Sequence, residues 1–200
     1  MKKGLIAIIV IAIIAFVLYS TGKGMYNSAV AYEEDAKTAW SNVESAYQRR
    51  ADLISNLVKT VQGAADFERT TLNEVIEARA KATSVQVDPS NITPEQLQQF
   101  QQAQSGLTSA LSRLLVTVER YPELKTNQNF LELQSQLEGT ENRINVERNR
   151  FNQSVNTFNT YLRQFPNNIF LKFLGNFSPM NRYEAEKGAE KAPDVEFDFN

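Results

Sequence analysis

Five glutamates and two arginines are the side chains of this sequence whose types could do chemistry. They are Glu44, Glu68, Glu74, Glu141, Glu147, Arg49 and Arg50. A carboxylate can act as a general acid or base, and an arginine can grip an acidic partner or a lipid phosphate. All five glutamates fall in helical surface patterns, where carboxylates are usually solvated or paired in a seam between helices. For the arginine pair, a guanidinium that lies along a bundle seam and pairs with a carboxylate of another helix is favoured over a binding role.

The composition removes most other routes to catalysis. The 200 residues include no histidine and no cysteine, so the chain lacks thiol nucleophiles, disulfides, the usual zinc ligands and the commonest general base. It also lacks a glycine-rich phosphate loop and metal-ligand spacing. A formal net charge of −2 provides no basic field for nucleic acid. We therefore predict that the protein is not an enzyme and has no catalytic residue, cofactor, metal or nucleic-acid partner.

The segment that must position the arginines, residues 40–79, is predicted to be one long amphipathic helix. It contains no proline, and its inward positions recur in alternating steps of three and four. These positions are Trp40, Val43, Tyr47, Arg50, Ile54, Leu57, Val61 and Ala64. Gly63 is the weak point, because a glycine costs about 1 kcal/mol relative to alanine inside a helix. It marks either a kink or a tolerated glycine.

An apolar run over residues 5–19 follows Lys2 and Lys3 at the amino terminus. As a helix it is about 22 Å long, against a hydrocarbon core of about 30 Å. This length fits either a short transmembrane anchor or a long signal-peptide core, and an uncleaved anchor is favoured because the cleavage signal is weak. The positive-inside rule then predicts a single-pass protein of the cell membrane with its bundle on the extracytoplasmic side.

Two further helices follow the first. Thr93 and Gln96, with Pro94 between them, form a capping box that predicts a helix start. This helix is predicted to end at Tyr121, before a proline, and a third stripe covers residues 130–161. The predicted fold is therefore all-α, with an N-terminal transmembrane helix and then an antiparallel bundle of three to four long helices.

Two long motifs resemble the signature of the LemA family of bacterial membrane proteins. The first comprises residues 26–27, 39–43, 48–54, 56–58, 74–75 and 78–79, and the second is spread over residues 124–159. Ser55 stands where the family usually has a proline, and residues 64–68 replace a segment that usually carries a tyrosine and a histidine. The resemblance implies a membrane-anchored, LemA-like helical bundle and names no reaction.

The predicted first helix is too long to be covered by the second, at roughly 85–90 Å against 40 Å. Its front half therefore needs the third helix or a neighbouring copy as cover. We predict self-association through an interaction or oligomer seam. Its residues are Tyr26, Val30, Trp40, Val43, Tyr47, Arg49 and Arg50.

Three asparagines, Asn142, Asn152 and Asn159, could form a polar binding row. Asn152 and Asn159 are seven residues apart and lie on one helix face beside apolar neighbours. Hydrogen bonds between helices that fix their register are favoured over a ligand site.

Four segments are predicted. They are a membrane anchor at 1–24, a LemA-like bundle at 25–166, an apolar docking segment at 167–183 and an acidic, disordered tail at 184–200. The docking segment could pack on the bundle or on lipid, and packing on the bundle is favoured. Removal of the tail is expected to leave folding and stability unchanged.

Two functional hypotheses follow from this architecture. The first is a membrane scaffold or assembly protein that contacts lipid through residues 5–19 and forms homo-oligomers through its long first helix. The alternative is a monomeric adaptor that presents its bundle and acidic tail to a membrane protease or envelope enzyme, with the protein partner unidentified.

Overall fold

The computed structural model describes residues 2–63 and 67–183. Within these residues it contains six α-helices and no β-strand, which confirms the predicted all-α class. The helices are α1 (Lys2–Gln62), α2 (Arg69–Ser84), α3 (Pro94–Val118), α4 (Pro122–Lys125), α5 (Gln128–Arg163) and α6 (Asn167–Leu174). The predicted tail, residues 184–200, lies outside the described residues.

The first helix, α1, is continuous over 61 residues, which corresponds to about 92 Å. Its residues 3–20 are exposed throughout, whereas one face is buried from Ala29 onward. In the described part of the chain, α1 is also the single helix that is long and apolar enough to cross a membrane. The membrane segment and the central helix of the bundle are thus one element.

The predicted single helix over residues 40–79 is wrong, because the chain reverses after Gly63. The next helix, α2, runs back along α1, and Nε of Arg79 donates a hydrogen bond to the carbonyl oxygen of Ala51 at 2.8 Å. The reversal buries Leu72 and Val75 in the bundle core. Each of these burials is worth about 1.5–3 kcal/mol, more than the roughly 1 kcal/mol of one helical hydrogen bond.

The capping box at the start of α3 is confirmed. The Thr93 hydroxyl accepts from the Gln96 amide at 3.2 Å, and the Gln96 side chain accepts from the Thr93 amide at 3.1 Å. The helix then runs antiparallel to α2 and ends at Val118, three residues before the predicted end at Tyr121. The amide of Tyr121 donates to the Val118 carbonyl at 2.9 Å, so a tight turn replaces the last helical residues and leads into α4.

The fifth helix, α5, packs antiparallel along α1 and covers the front half that was predicted to be uncovered. Trp40 and Val43 are fully buried, and the Trp40 ring lies 5.2 Å from that of Phe151. Small buried side chains of α1, such as Ala36 and Ala46, let the two helices approach closely. The cover is therefore supplied within one chain by the third long helix of the bundle, one of the two surfaces considered from the sequence.

The buried apolar residues form two clusters along α1. A distal core, far from the anchor, includes Leu57, Leu107, Leu114 and Leu137. A proximal core, nearer the anchor, includes Trp40, Tyr47, Phe100, Phe151 and Tyr183. The bundle is thus packed along the length of α1 beyond the anchor.

After α5 the chain reaches the base of the bundle near the anchor. It then turns back along the bundle. The sixth helix, α6, packs beside Gly22 of α1, where an added Cβ would lie 3.2 Å from Cδ1 of Leu174. Residues 175–183, which we call the strap, carry no regular secondary structure and reach Tyr183 in the proximal core. The predicted docking segment therefore consists of a short helix and an irregular strap, and both contact the bundle.

Candidate functional site

An arginine node joins several helices of the bundle. It is made of the buried Arg50 and Gln104 and the more exposed Thr108 and Glu141. The Arg50 side chain extends from α1 and is almost fully buried. Its Nη1 donates to Glu141 Oε2 of α5 at 2.8 Å and to Thr108 Oγ1 of α3 at 3.3 Å. Its Nη2 donates to Gln104 Oε1 at 2.7 Å. One guanidinium therefore ties together α1, α3 and α5 through charge-assisted hydrogen bonds.

Gln104 extends the arginine node to a fourth helix. Its side-chain amide donates to the carbonyl oxygen of Ala82, near the end of α2, at 3.3 Å. The Arg50 guanidinium also lies 5.0 Å from the centroid of the Tyr47 ring. These contacts give Arg50 the seam role favoured from the sequence, with Glu141 as the carboxylate of another helix.

Two asparagines of α5 hold the strap by its backbone. Asn152 donates to the Tyr183 carbonyl at 2.9 Å and accepts from the Tyr183 amide at 2.8 Å. Asn159 makes the same pair of bonds to Met180, at 2.8 and 2.9 Å. Their partner is an irregular segment instead of the expected second helix. Asn142 is exposed and its side chain forms no hydrogen bond within the described residues, so it is not part of this arrangement.

Tyr183 anchors the end of the strap in the proximal core. Its hydroxyl lies 3.0 Å from the hydroxyl of Tyr47, and the Arg148 guanidinium lies 3.9 Å from the centroid of its ring. Burial raises the pKa of both tyrosines, because each phenolate would be poorly solvated there. Both phenols are therefore neutral at ordinary pH and act as structural hydrogen-bonding groups.

Most residues of the predicted oligomer seam are turned into the chain's own core. Trp40, Val43 and Tyr47 are buried. Tyr26 is partly exposed and packs edge-on against Phe177 of the strap, with ring centroids 5.4 Å apart. Val30 is half-buried. Of the seven seam residues, Arg49 and Tyr26 are thus the ones that the described chain leaves open to solvent.

Arg49 belongs to a polar outer face of α1. A shallow open groove of about 670 Å³ follows this face between residues 41 and 56. Glu44, Gln48, Arg49 and Asp52 are among its lining residues. Burial raises the pKa of the Glu44 carboxyl above its ordinary value. The face offers side chains of both charge signs and one large apolar side chain, Leu53.

The described residues include all five candidate glutamates. No cluster of three or more carboxylates among them is placed to hold a metal ion. The buried carboxylate Glu147 accepts two hydrogen bonds from Arg150, at 3.0 and 3.3 Å. Glu74 forms an exposed ion pair with Arg113 of α3, and Glu68 forms one with Arg120, which follows the end of α3. Four of the five candidate glutamates, Glu68, Glu74, Glu141 and Glu147, thus have an arginine partner in the bundle, and Glu44 lines the groove.

Comparison with known proteins decides the family of this chain. The LemA family model matches residues 39–197, well over half of the sequence. The chain belongs to the LemA family. The match spans the arginine node, α5 and the strap, and its motif over residues 48–54 contains both Arg49 and Arg50.

Named relatives of this LemA-family chain come from several bacteria. Magnetosome protein MamQ 2 of Paramagnetospirillum magneticum is 27% identical over 206 aligned positions, covering 94% of this chain and 74% of the relative. Magnetosome protein MamQ of Magnetospirillum gryphiswaldense is 28% identical, covering 81% and 65%. Protein LemA of Metamycoplasma hominis is 24% identical, covering 74% and 64%. None of these three names describes a reaction. The family match and the long apolar start of α1 together support the conclusion that this is a membrane-associated helical protein.

Sequence reasoning predicted a docking segment over residues 167–183 but not the contacts that its strap makes. The helical pattern stops before residue 167, and Met180 and Tyr183 follow no helical or strand period. One signal was available, because Asn152 and Asn159 are polar residues on an otherwise apolar face and so require a partner. The sequence could not say that this partner is the backbone of residues 180 and 183.

Proposed function

We propose that this LemA-family protein is a non-enzymatic, single-pass membrane scaffold that holds a protein partner at a fixed distance from the bilayer. The observation that carries the proposal is the continuity of α1 from its apolar start to Gln62. Beyond residue 20 the helix extends for about 63 Å, and the other helices are built on it. Because this helix is continuous with the membrane span, it fixes the distance from the bilayer and the orientation of any protein that binds to its side.

Other helices contact α1 at the junction between the membrane span and the bundle, which supports a rigid connection between the two. Gly22 and Gly24 weaken the helix at this point, since each glycine costs about 1 kcal/mol relative to alanine. Leu174 packs against Gly22, and the Tyr161 hydroxyl donates to the Met25 carbonyl at 3.2 Å. The last turns of α5 and the whole of α6 therefore support α1 where it leaves the apolar segment.

The partner surface that we propose is the polar outer face of α1 around Arg49. Most residues of the face are exposed over about four turns, and Arg79 of α2 reaches its edge at Asp52. This face favours the adaptor form of the function, in which one chain presents its side to a different protein. The burial of Trp40, Val43 and Tyr47 speaks against homo-oligomerisation through α1, because these side chains would have to leave the core to reach a second copy.

The first test is the mass of the full-length protein in mild detergent. The adaptor form predicts one chain per particle. A regular oligomer that persists on dilution would contradict it and would restore self-association as the basis of the scaffold. The measurement is light scattering coupled to size-exclusion chromatography, with the detergent contribution subtracted.

The second test addresses the partner face in native membranes. A photo-reactive amino acid at Gln48 should yield a discrete adduct, and an additional Arg49→Glu change should abolish it because the partner would face a reversed charge. The control places the same photo-reactive residue at Val116, which is 72% exposed on α3. Equal adducts at the two positions, or an adduct unaffected by Arg49→Glu, would refute this face as the binding surface.

A further inference from the structure

The short helix α6 has an unusual distribution of side chains. Asn167 and Leu171 are buried against the bundle. On the other side, Ile169 and Phe173 lie four residues apart and are exposed, Phe173 by 86%. Phe165, just before the helix, is 80% exposed. Bulky apolar groups therefore point away from the protein on the face where a soluble bundle would carry charges.

The position of α6 along α1 places this apolar face at the edge of the bilayer. A hydrocarbon core of about 30 Å needs about 20 helical residues, whereas the apolar run over residues 5–19 supplies about 22 Å. The deficit of about 8 Å corresponds to roughly five residues, so the boundary falls close to Gly22. Leu174 and Phe170 of α6 pack against α1 at Gly22.

Two cations flank the apolar face, Arg163 at the end of α5 and Lys172 in the last turn of α6. A cavity of about 400 Å³ opens between α6 and the strap, and its lining includes Arg163, Asn168 and Lys172. Both cations are exposed, and neither pairs with a carboxylate in the described residues. Cations beside a band of apolar side chains are typical of helices that lie in the headgroup region of anionic membranes.

We infer that α6 is an interfacial helix, which inserts Phe165, Ile169 and Phe173 into the bilayer while Arg163 and Lys172 bind anionic phospholipid headgroups. The occupant is the membrane because the exposed face continues the surface of the membrane span on α1, to which α6 is packed. The inference rests on the anchor alone, so it stands or fails independently of the partner face around Arg49.

The first experiment measures the depth of α6 in the full-length protein. The chain contains no cysteine, so a single Phe173→Cys substitution allows a nitroxide label at that position. The matched control is Val116→Cys, which is similarly exposed but lies at the distal end of α3. Both proteins are reconstituted in vesicles that contain phosphatidylcholine and phosphatidylglycerol. Collisions of the label with oxygen, which concentrates in lipid, and with a water-soluble nickel chelate are then measured.

The label at position 173 is expected to collide with oxygen far more than with the nickel chelate, and the label at position 116 is expected to behave in the opposite way. Equal access of the nickel chelate to both labels would overturn the insertion. Exclusion of both reagents from position 173 would also overturn it, since this is the signature of a contact with protein. Unchanged emission of the buried Trp40 verifies that each labelled variant is folded.

The second experiment tests the headgroup contacts. A fluorophore on Phe173→Cys should be quenched more by brominated phosphatidylglycerol than by brominated phosphatidylcholine at the same mole fraction. Replacing Arg163 and Lys172 by Gln should remove this difference. Replacing Arg49 and Lys59 by Gln makes the same change of charge far from the bilayer and should preserve it, because surface charges are screened within about 10 Å at 0.1 M salt. A difference that survives the first pair of substitutions would overturn the headgroup assignment.

Discussion

Loss of the Arg50 guanidinium should destabilise the bundle strongly, although Arg50 is one of two adjacent arginines. In Arg50→Ala, the buried Gln104 side chain loses its 2.7 Å partner, which costs about 1–3 kcal/mol. The Tyr47 ring also loses a cation contact worth about 1 kcal/mol. The Glu141 side chain is 48% exposed and regains water, so the loss of its ion pair adds little to this cost. We expect a total of about 2–4 kcal/mol.

The single tryptophan of the chain provides the assay. Trp40 is fully buried in the proximal core, so its emission reports unfolding of the bundle and not of the exposed anchor. For a chain of this size, 2–4 kcal/mol corresponds to a fall in Tm of roughly 4–16 °C. The matched control is Arg49→Ala, an exposed position where a change within about 0.5 kcal/mol is expected.

Two further variants separate charge from geometry in the arginine node. Arg50→Lys keeps the charge but cannot reach α3 and α5 together, so we expect an intermediate loss of about 1–2 kcal/mol. Glu141→Gln removes the exposed partner and should cost less than about 1 kcal/mol. Equal midpoints for Arg50→Ala and Arg49→Ala would refute the conclusion that this guanidinium ties the helices together.

Three other changes probe the rest of the fold. Asn152→Ala should cost about 1–2 kcal/mol by releasing the strap at Tyr183, while the exposed Asn156→Ala should be neutral in the same Trp40 unfolding assay. The contribution of the Tyr47 and Tyr183 hydroxyls to stability should be constant below about pH 10 and fall above it, because burial raises their folded-state pKa and only the unfolded chain then releases these protons. The stability of Tyr47→Phe should fall less steeply above pH 10 than that of the wild type, as measured by urea midpoints over a pH series. A slope equal to that of the wild type would contradict this. Thr93→Ala should cost about 1 kcal/mol through loss of the capping box, measured by the same urea midpoints.

The parts of the fold that depend on neighbours in sequence were predictable. The capping box at Thr93 consists of groups within four residues, so its geometry follows from local preferences alone. The stripe through Trp40, Val43 and Ile54 also has a single helical solution, because its period fixes which side is buried. The seam role of Arg50 was likewise predictable, since a charge on a buried face requires a carboxylate or another acceptor.

The parts that depend on distant partners were not predictable. The stripe continues through residue 64, so nothing in the period reveals that α1 stops and α2 folds back. That reversal is decided by the burial of Leu72 and Val75 against other helices, which is a property of the whole bundle. The same limit applied to the predicted oligomer seam. The lengths of the helices showed that α1 needed cover, but not that α5 would provide it.

The glycines at the base of the bundle connect the two proposals. Gly22 leaves room for Leu174 to approach α1, whereas nothing lies within 4 Å of a Cβ built on Gly24. Without α6, two glycines within three residues would make this point a flexible joint between span and bundle. A helix held at the bilayer surface by Phe165, Ile169 and Phe173 would resist tilting of the bundle in any direction that lifts these rings out of lipid. The interfacial helix and the rigid scaffold therefore depend on the same contact, and a partner on the face around Arg49 would be held at a height set by that contact.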